Sequence, residues 1–525
     1  MLPVDNDRPK RRGKKKVPRG QSPAVFDACV VGAGPAGAAA AALLARWGCS
    51  VIMVHRPVRQ RGLAESLPAS SQKLFHFLGM LDCVEARGFQ PNFGNVSEWA
   101  GEVTVTRSDV PGYHVDRDVF DAALRSFAGS CGVQEIQGAV RRVTLGEPIG
   151  IDCDEGGVLK TYRSRFVLDC SGRAGVVGRP LFGRRMAGYR TLALIAEWST
   201  DGWPSAESMH TFIESYADGW AWSVPLSAER RQCTVMIDPR LSPRAGTGLA
   251  QKYAVELAKA RGFRDRLSSA RQTSSPWSCD ATVYESARTA ESGVVLVGDA
   301  ASFVEPLSSA GVRKALVSAW RAAVVVNTSI RHSSMWSVAA DYFDRRERFM
   351  YSTCLRRAGA FFSDATREYE HEFWQMRERA TSTLLSEQSG PGAVDDSPET
   401  DADVQAAFER LRRASASVRF VPGSKLRFAN APEIEGNELV MREAILMPGA
   451  SSPTVFAKGA NLAALTRIAM DAQGVGGVMA QYEAQVGRVS ARHLLAGLSL
   501  LLAKRVLIQR ESKPGRAGSR PSVSG

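Results

Sequence analysis

Phe26-Asp27-Ala28-Cys29-Val30-Val31-Gly32-Ala33-Gly34-Pro35-Ala36-Gly37 passes from an apolar run into a glycine turn and on into an alanine-rich stretch that reaches Trp47. After Gly48 a second apolar run covers Val51 to Val54. Strand, glycine turn, helix and strand in that order begin a βαβ unit, the context in which a GxGxxG spacing points to a dinucleotide. Gly32 permits the tight turn, Gly34 lets backbone approach a pyrophosphate, and Gly37 lets the helix pack on the strand. The positive end of the helix then favours the diphosphate. The pattern breaks at the end of the second strand, where Asp or Glu usually accepts the ribose hydroxyls. Here the chain has His55 followed by Arg56. Histidine still hydrogen-bonds a hydroxyl, but the fixed negative charge is gone, which predicts weaker affinity or tolerance of a phosphate-bearing ligand.

With 525 residues, 44% of them apolar and 23% charged, the chain has ordinary globular composition and enough length for two or three domains. Nine scattered cysteines without a CxxC pair, and seven histidines without an HExxH cluster, predict reduced thiols and no metal site. Lys10, Arg11, Arg12, Lys14, Lys15, Lys16 and Arg19 crowd the N-terminus, which holds much of the net charge of +13. A signal peptide needs an apolar segment there, so the run reads as a solvated basic arm rather than a specific nucleic-acid site. The apolar stretch Leu494 to Ala503 is too short to span a bilayer. A cytoplasmic protein without membrane contact is expected. The expected segments are a disordered basic arm at 1–22, a cofactor- and substrate-binding core at 23–387, an acidic linker at 388–403, a C-terminal α-rich domain at 404–510 and a disordered tail at 511–525.

Within the core, Glu65 to Gly79 reads as a loop followed by a helix with Leu74, Phe77 and Leu78 at helical spacing. Asp116 to Ala128 reads as an amphipathic helix with Arg117 near its start, and Phe166 to Leu168 as a buried strand closed by Asp169, Cys170, Ser171, Gly172 and Arg173. Polar–apolar alternation between Thr191 and Asp280 predicts an antiparallel sheet on the substrate side. The nucleotide fold returns at Gly293 to Val297, ending in Gly298, Asp299 and Ala300, with helices from Gly311 to Val326 and Val338 to Arg357. Beyond the linker, strands are expected near Lys425 to Phe428 and Glu438 to Ile445, a helix at Leu462 to Asp471, and a final helix running to Ile508. The fold class is therefore α/β: a three-layer, Rossmann-like FAD-binding fold with an inserted antiparallel substrate layer and a C-terminal α+β segment.

The glycine loop, the Asp169 to Arg173 segment, and Gly298-Asp299-Ala300 with Pro306 and Gly311 together resemble the flavin-dependent halogenase family, within the FAD-dependent aromatic hydroxylase superfamily. The resemblance covers residues 26 to 370. It implies FAD held by Gly32, Gly34 and Gly37, with His55, Arg56, Arg117 and Asp299 as further cofactor contacts. Gly219-Trp220-Ala221-Trp222-Ser223-Val224-Pro225 is similar to the family's paired-tryptophan element, Val224 standing for the usual isoleucine. Trp220, Trp222 and Pro225 would then keep substrate away from the flavin; the same pattern also suits an aromatic strand packed in a core. Lys73 matches the family lysine between flavin chamber and substrate pocket; the alternative is a surface lysine whose stem lies along the helix. Glu65 is its candidate partner or proton relay, or a loop anchor. The resemblance assigns the halide to backbone N–H groups at Ala310 and Gly311, beside Pro306. At Ser308 the chain departs from the tryptophan-halogenase glutamate that assists proton loss, which shifts the expected substrate toward a phenol or pyrrole.

The implied reaction uses reduced FAD from a partner flavin reductase, oxygen, and chloride or bromide to halogenate an electron-rich aromatic ring, free or bound to a carrier or peptide. The alternative is an FAD-dependent monooxygenase that hydroxylates a peptide or tethered substrate without halide. A flavin reductase acting on lipid substrates and a nucleic-acid-binding module using the basic arm are the remaining readings. The protein is expected to be a monomer or homodimer.

Overall fold

In the computed structural model, which describes residues 24–57, 62–203, 208–242, 248–388, 402–414, 418–450 and 452–511, the chain opens with β1 (Val25–Val31), α1 (Pro35–Arg46) and β2 (Val51–His55). β1 and β2 are parallel, with Ala28 opposite Val51 and Val31 opposite Val54. Every residue of α1 from Pro35 to Leu44 is buried. Alanine is the best helix former, and its small side chain lets this helix be covered on all sides.

The chain then leaves the parallel layer through β3 (Ala64–Leu67), α2 (Ser70–Leu78), β4 (Gln90–Trp99) and β5 (Glu102–Asp116). It returns at α3 (Arg117–Ser130), where the Asp116 carboxylate accepts from the Asp118 N–H at 2.9 Å and so satisfies one of the open donors of the first turn. β6 (Gln134–Gln137) pairs parallel with β2, and β7 (Val158–Asp169) pairs parallel with β1. The alternating segment supplies β8 (Leu192–Ser199), β9 (His210–Tyr216), β10 (Gly219–Pro225) and β11 (Arg230–Ile237). β12 (Val294–Leu296) then pairs parallel with β7, giving a parallel layer in the order β12-β7-β1-β2-β6. All of β2 is buried, as expected of parallel strands covered on both faces.

The inserted sheet is larger than the alternation alone predicts. β8, β11, β10 and β9 are antiparallel neighbours, but β9 pairs in parallel with β4, which adds β5 and β3. The segment between β2 and α3 therefore completes the inserted layer, which is mixed rather than purely antiparallel. α4 (Gly311–Arg331) packs across α1, and α5 (Trp336–Glu368) and α6 (Glu372–Gln388) follow it.

The C-terminal segment has α7 (Ala402–Arg412), β13 (Val418–Pro422), the hairpin β14 (Phe428–Glu435) and β15 (Glu438–Ile445), α8 (Leu462–Asp471), α9 (Gly474–Gln485), α10 (Ala491–Ala503) and β16 (Leu507–Glu511). Its apolar cluster includes Leu411, Leu465, Leu498 and Leu501. The expected final helix to Ile508 is corrected: α10 ends at Ala503, Arg505 takes φ +57°, and the chain turns into β16 to pair with β13. A helix cannot continue through a left-handed residue. The hairpin reaches back to the core, where the Leu439 N–H donates to Thr328 Oγ1 at 2.8 Å and Glu438 meets Arg331 at 3.1 Å. The expected basic arm, residues 389–401 of the expected linker and the tail from 512 lie outside the described residues. No helix among the described residues is long and apolar enough to cross a membrane.

Candidate active site

The β1–α1 turn, the end of β2, the start of α3 and the segment from Gly298 to Gly311 converge on a cavity of about 510 Å³, inside the ~300–1,000 Å³ range of small-molecule sites. β8, β10 and β11 close its far end with Ala193, Ile195, Trp222, Thr234 and Met236.

At the turn, a Cβ on Gly32 (φ +108°) would lie 2.3 Å from the Cys170 carbonyl oxygen, and one on Gly37 would lie 1.9 Å from that of Gly32. The protein's own packing requires those glycines. Gly34 differs, because the nearest atom to its Cβ position is Asp121 Oδ2 at 3.7 Å and the residue faces the cavity. α1 begins there with no side-chain cap, leaving first-turn N–H groups for an anion. An open glycine beside an uncapped helix start fits the diphosphate of a dinucleotide.

His55 lines the cavity, but its Nε2 is 2.6 Å from Glu135 Oε1 and its Nδ1 2.9 Å from the Arg56 carbonyl oxygen. The ring is tied to protein at both nitrogens, while Arg56 stands exposed at the cavity edge. Arg117 donates to both Asp121 oxygens, at 2.9 and 3.0 Å, and to Glu65 Oε1 at 3.1 Å. Enclosure raises the Glu65 carboxyl above the usual carboxylate range, and Arg117 opposes that rise.

Asp299 lines the cavity after the left-handed Gly298 (φ +64°). Behind it is Lys314, only 1% exposed. Its ammonium donates to the Gly298 carbonyl at 2.9 Å and to that of Ser302, and it stands 3.6 Å from Asp299 Oδ1. Pro306–Ser308 form a single turn, Ser309 takes φ +46°, and Ala310 leads into Gly311 at the start of α4 with no side-chain cap. Pro306, Ser309 and Gly311 line the cavity, and Ala310 is buried next to them. The Ser308 side chain lies outside the described residues. These uncapped N–H groups suit a small anion.

Trp220 and Trp222 stack with centroids 4.9 Å apart and planes at 26°. Trp222 reaches the cavity, and Trp220 is buried behind it, edge-on to Trp99 at 6.2 Å. Pro225 ends β10 opposite Arg231 and is not among the lining residues. Arg173 lies over the Phe303 ring at 3.9 Å, and both line the cavity.

Lys73 is not brought to this site. α2 buries Ser71, Phe75 and Leu78, and Lys73 lies on the exposed side, outside the cavity lining. The expected stripe of Leu74, Phe77 and Leu78 has the wrong phase: Phe77 is 60% exposed, with its ring 5.3 Å from Trp320.

Lys314 and Glu305 are functional candidates that the sequence reading passed over. Glu305 is 2% exposed on the cavity wall. Burial pushes its carboxyl up to about 7, against the pull of Arg377, Trp220 and Tyr189. The available signal was an acid set inside the apolar run Phe303 to Leu307, shortly before the glycine-bearing helix.

Three comparisons with known proteins bear on this site. The tryptophan halogenase family model matches residues 98–389. A tryptophan 2-halogenase of Chondromyces crocatus is 30% identical over 386 residues, which is 69% of this chain and 73% of that one. Among solved structures, the flavin-dependent halogenase CmlS superposes with a TM-score of 0.73 at 21% identity, over 96% of this chain and 98% of its own. The peptidyl tryptophan dihydroxylase QhpG gives a TM-score of 0.65 at 24% identity, over 92% and 99%. These likenesses of fold take in the C-terminal segment, which the resemblance over residues 26 to 370 did not reach.

Proposed function

The chain belongs to the flavin-dependent halogenase family, within the FAD-dependent aromatic hydroxylase superfamily, and we propose that it halogenates an electron-rich aromatic ring. The ring is a phenol, pyrrole or indole, free or tethered to a carrier or peptide. One observation carries this reading: a single cavity runs from the open Gly34 at the dinucleotide turn to Trp222 and the Pro306–Gly311 loop. Bound in its reduced form, delivered by a partner reductase, FAD supplies the electrons with which oxygen turns chloride or bromide into an electrophile.

The chain's own groups do the rest. The Gly32–Gly37 turn and the start of α1 hold the diphosphate, and Arg117 and Asp299 orient the cofactor. The first-turn N–H groups of α4, with Ala310 and Gly311, hold the halide. Trp222, backed by Trp220, shares the far end of the cavity with Ala193, Ile195 and Met236, and there an aromatic ring is held away from water. Glu65, paired with Arg117, is positioned to exchange a proton with groups in the cavity.

A second reading, hydroxylation without halide, is favoured by the absence of any lysine among the described residues that line the cavity. One assay separates the two. Purified protein is supplied with FAD, a reductase, oxygen and a panel of indoles, phenols, pyrroles and carrier-bound acyl groups, with and without chloride or bromide. Halogenation gives halide-dependent products carrying the halogen mass and isotope pattern. Oxygen insertion that ignores halide overturns it in favour of hydroxylation.

A further inference from the structure

The buried ammonium of Lys314 has no role in the reading above, yet burying a charge costs several kcal/mol unless it is well paired. It is paired on every side. Its Nζ donates to the carbonyls of Gly298 and Ser302, which bracket the turn carrying Asp299. Ser318, one turn further along α4, accepts from the Gly298 N–H at 3.0 Å. From α5, the buried Glu347 faces Lys314, Arg321 and Ser318. α4 thus grips the back of a turn whose front lines the cavity. Asp299 is the one carboxylate on that front, and Lys314 lies 3.6 Å behind it. The α4 N-terminus, at Gly311 and Val312, lines the same wall and adds the positive end of a helix.

Two-electron reduction of a flavin adds negative charge to the ring system. A wall on which Asp299 is compensated accommodates that charge; one on which it is not repels it. We propose that Lys314 is a positioning residue that makes this site prefer reduced over oxidised FAD, by holding the Gly298–Ser302 turn and compensating Asp299. The inference rests on the FAD reading above and deepens it, because a protein supplied by a separate reductase must capture the reduced cofactor.

The test is a pair of dissociation constants, for oxidised FAD in air and reduced FAD under anaerobic conditions, measured by fluorescence without turnover. The wild-type protein is expected to bind reduced FAD about tenfold more tightly or better. Lys314→Met is expected to remove about tenfold of that preference, equivalent to a midpoint potential about 30 mV lower for the bound two-electron couple. Lys314→Arg retains the charge and is expected to keep the preference even where both affinities fall. A purely structural lysine would weaken both redox states equally and leave the ratio unmoved, which overturns the proposal. So does a wild-type ratio near one, a measurement that needs no variant to fold. Failure of the wild-type protein to bind FAD in either state refutes the functional reading itself, a different result from an unchanged ratio.

Discussion

Helices α2 and α4 each carry a lysine as their fourth residue, Lys73 and Lys314, and each follows an acidic residue of the site, Glu65 or Glu305. Lys73 is exposed and Lys314 is 1% exposed. The difference comes from how many sides of the helix are covered. α2 is a nine-residue helix that buries one face, through Ser71, Phe75 and Leu78. α4 has 21 residues and is covered by α1 and α5, so a lysine in its first turn must find acceptors inside the protein. The acids follow the same rule. Glu65 keeps a third of its side chain exposed, and its paired Arg117 opposes the rise that enclosure gives it; Glu305, 2% exposed, rises to about 7.

The comparison breaks most violently at Lys314. Lys314→Glu would set a carboxylate against the carbonyls of Gly298 and Ser302, with Asp299 and Glu347 nearby. A loss of about 3–5 kcal/mol or more is expected, a large fraction of the ~5–15 kcal/mol that typically separates folded from unfolded protein. Denaturant unfolding without cofactor checks it, and a stability within about 0.5 kcal/mol of the parent would mean that the ammonium is not buried.

On α2 the energy lies in the face that Lys73 does not share. Phe75 is fully buried and meets Phe120 edge-on at 5.9 Å, so Phe75→Ala is expected to cost about 3–5 kcal/mol in denaturant unfolding. A cost below about 1 kcal/mol would show that α2 packs through another face, with Lys73 turned inward.

Glu305 sharpens the contrast through pH. Its folded-state value of about 7 lies above the ordinary 4.5, so between those values the folded state holds a proton that the unfolded chain has released. Stability is therefore full below about 4.5 and falls as pH rises to about 7, by up to about 3 kcal/mol at ~1.4 kcal/mol per unit. Glu305→Gln should flatten that part of the stability-versus-pH curve. An unchanged slope would place the carboxyl in contact with water.

What the sequence made legible, and what it hid, follows the same division. Gly32 and Gly37 were readable because the atoms that exclude a Cβ there belong to the turn and the adjoining strand end. The tryptophans at 220 and 222 were readable because strand alternation puts both on one face. α2 was misread because apolar residues at 74, 75, 77 and 78 support two helical phases, and only the neighbouring Phe120 and Trp320 choose between them. Lys314 and Glu305 look like surface charges in sequence. Their burial is imposed by α5, α6 and the inserted sheet, which are distant in the chain.

The smallest effect expected is also the one that decides most about chemistry. Lys73→Ala removes an exposed side chain, so stability should stay within about 0.5 kcal/mol and FAD affinity should not change. The family resemblance nevertheless puts a lysine at this position between flavin and substrate, and turning α2 to meet that role would bring Phe75 and Leu78 out of the core. Exposing each costs about 1.5–3 kcal/mol, so the turned state would be rare unless bound cofactor or substrate favours it. Halide-dependent product formation in a Lys73→Ala protein that is folded and flavin-loaded reads this directly. Loss of halogenation alone would mean that α2 does turn in the loaded enzyme and that its exposed lysine belongs to a state different from the resting fold. Retained halogenation would mean that the cavity works without a lysine at its wall, with Arg56, Arg117 and Arg173 as the cations that line it.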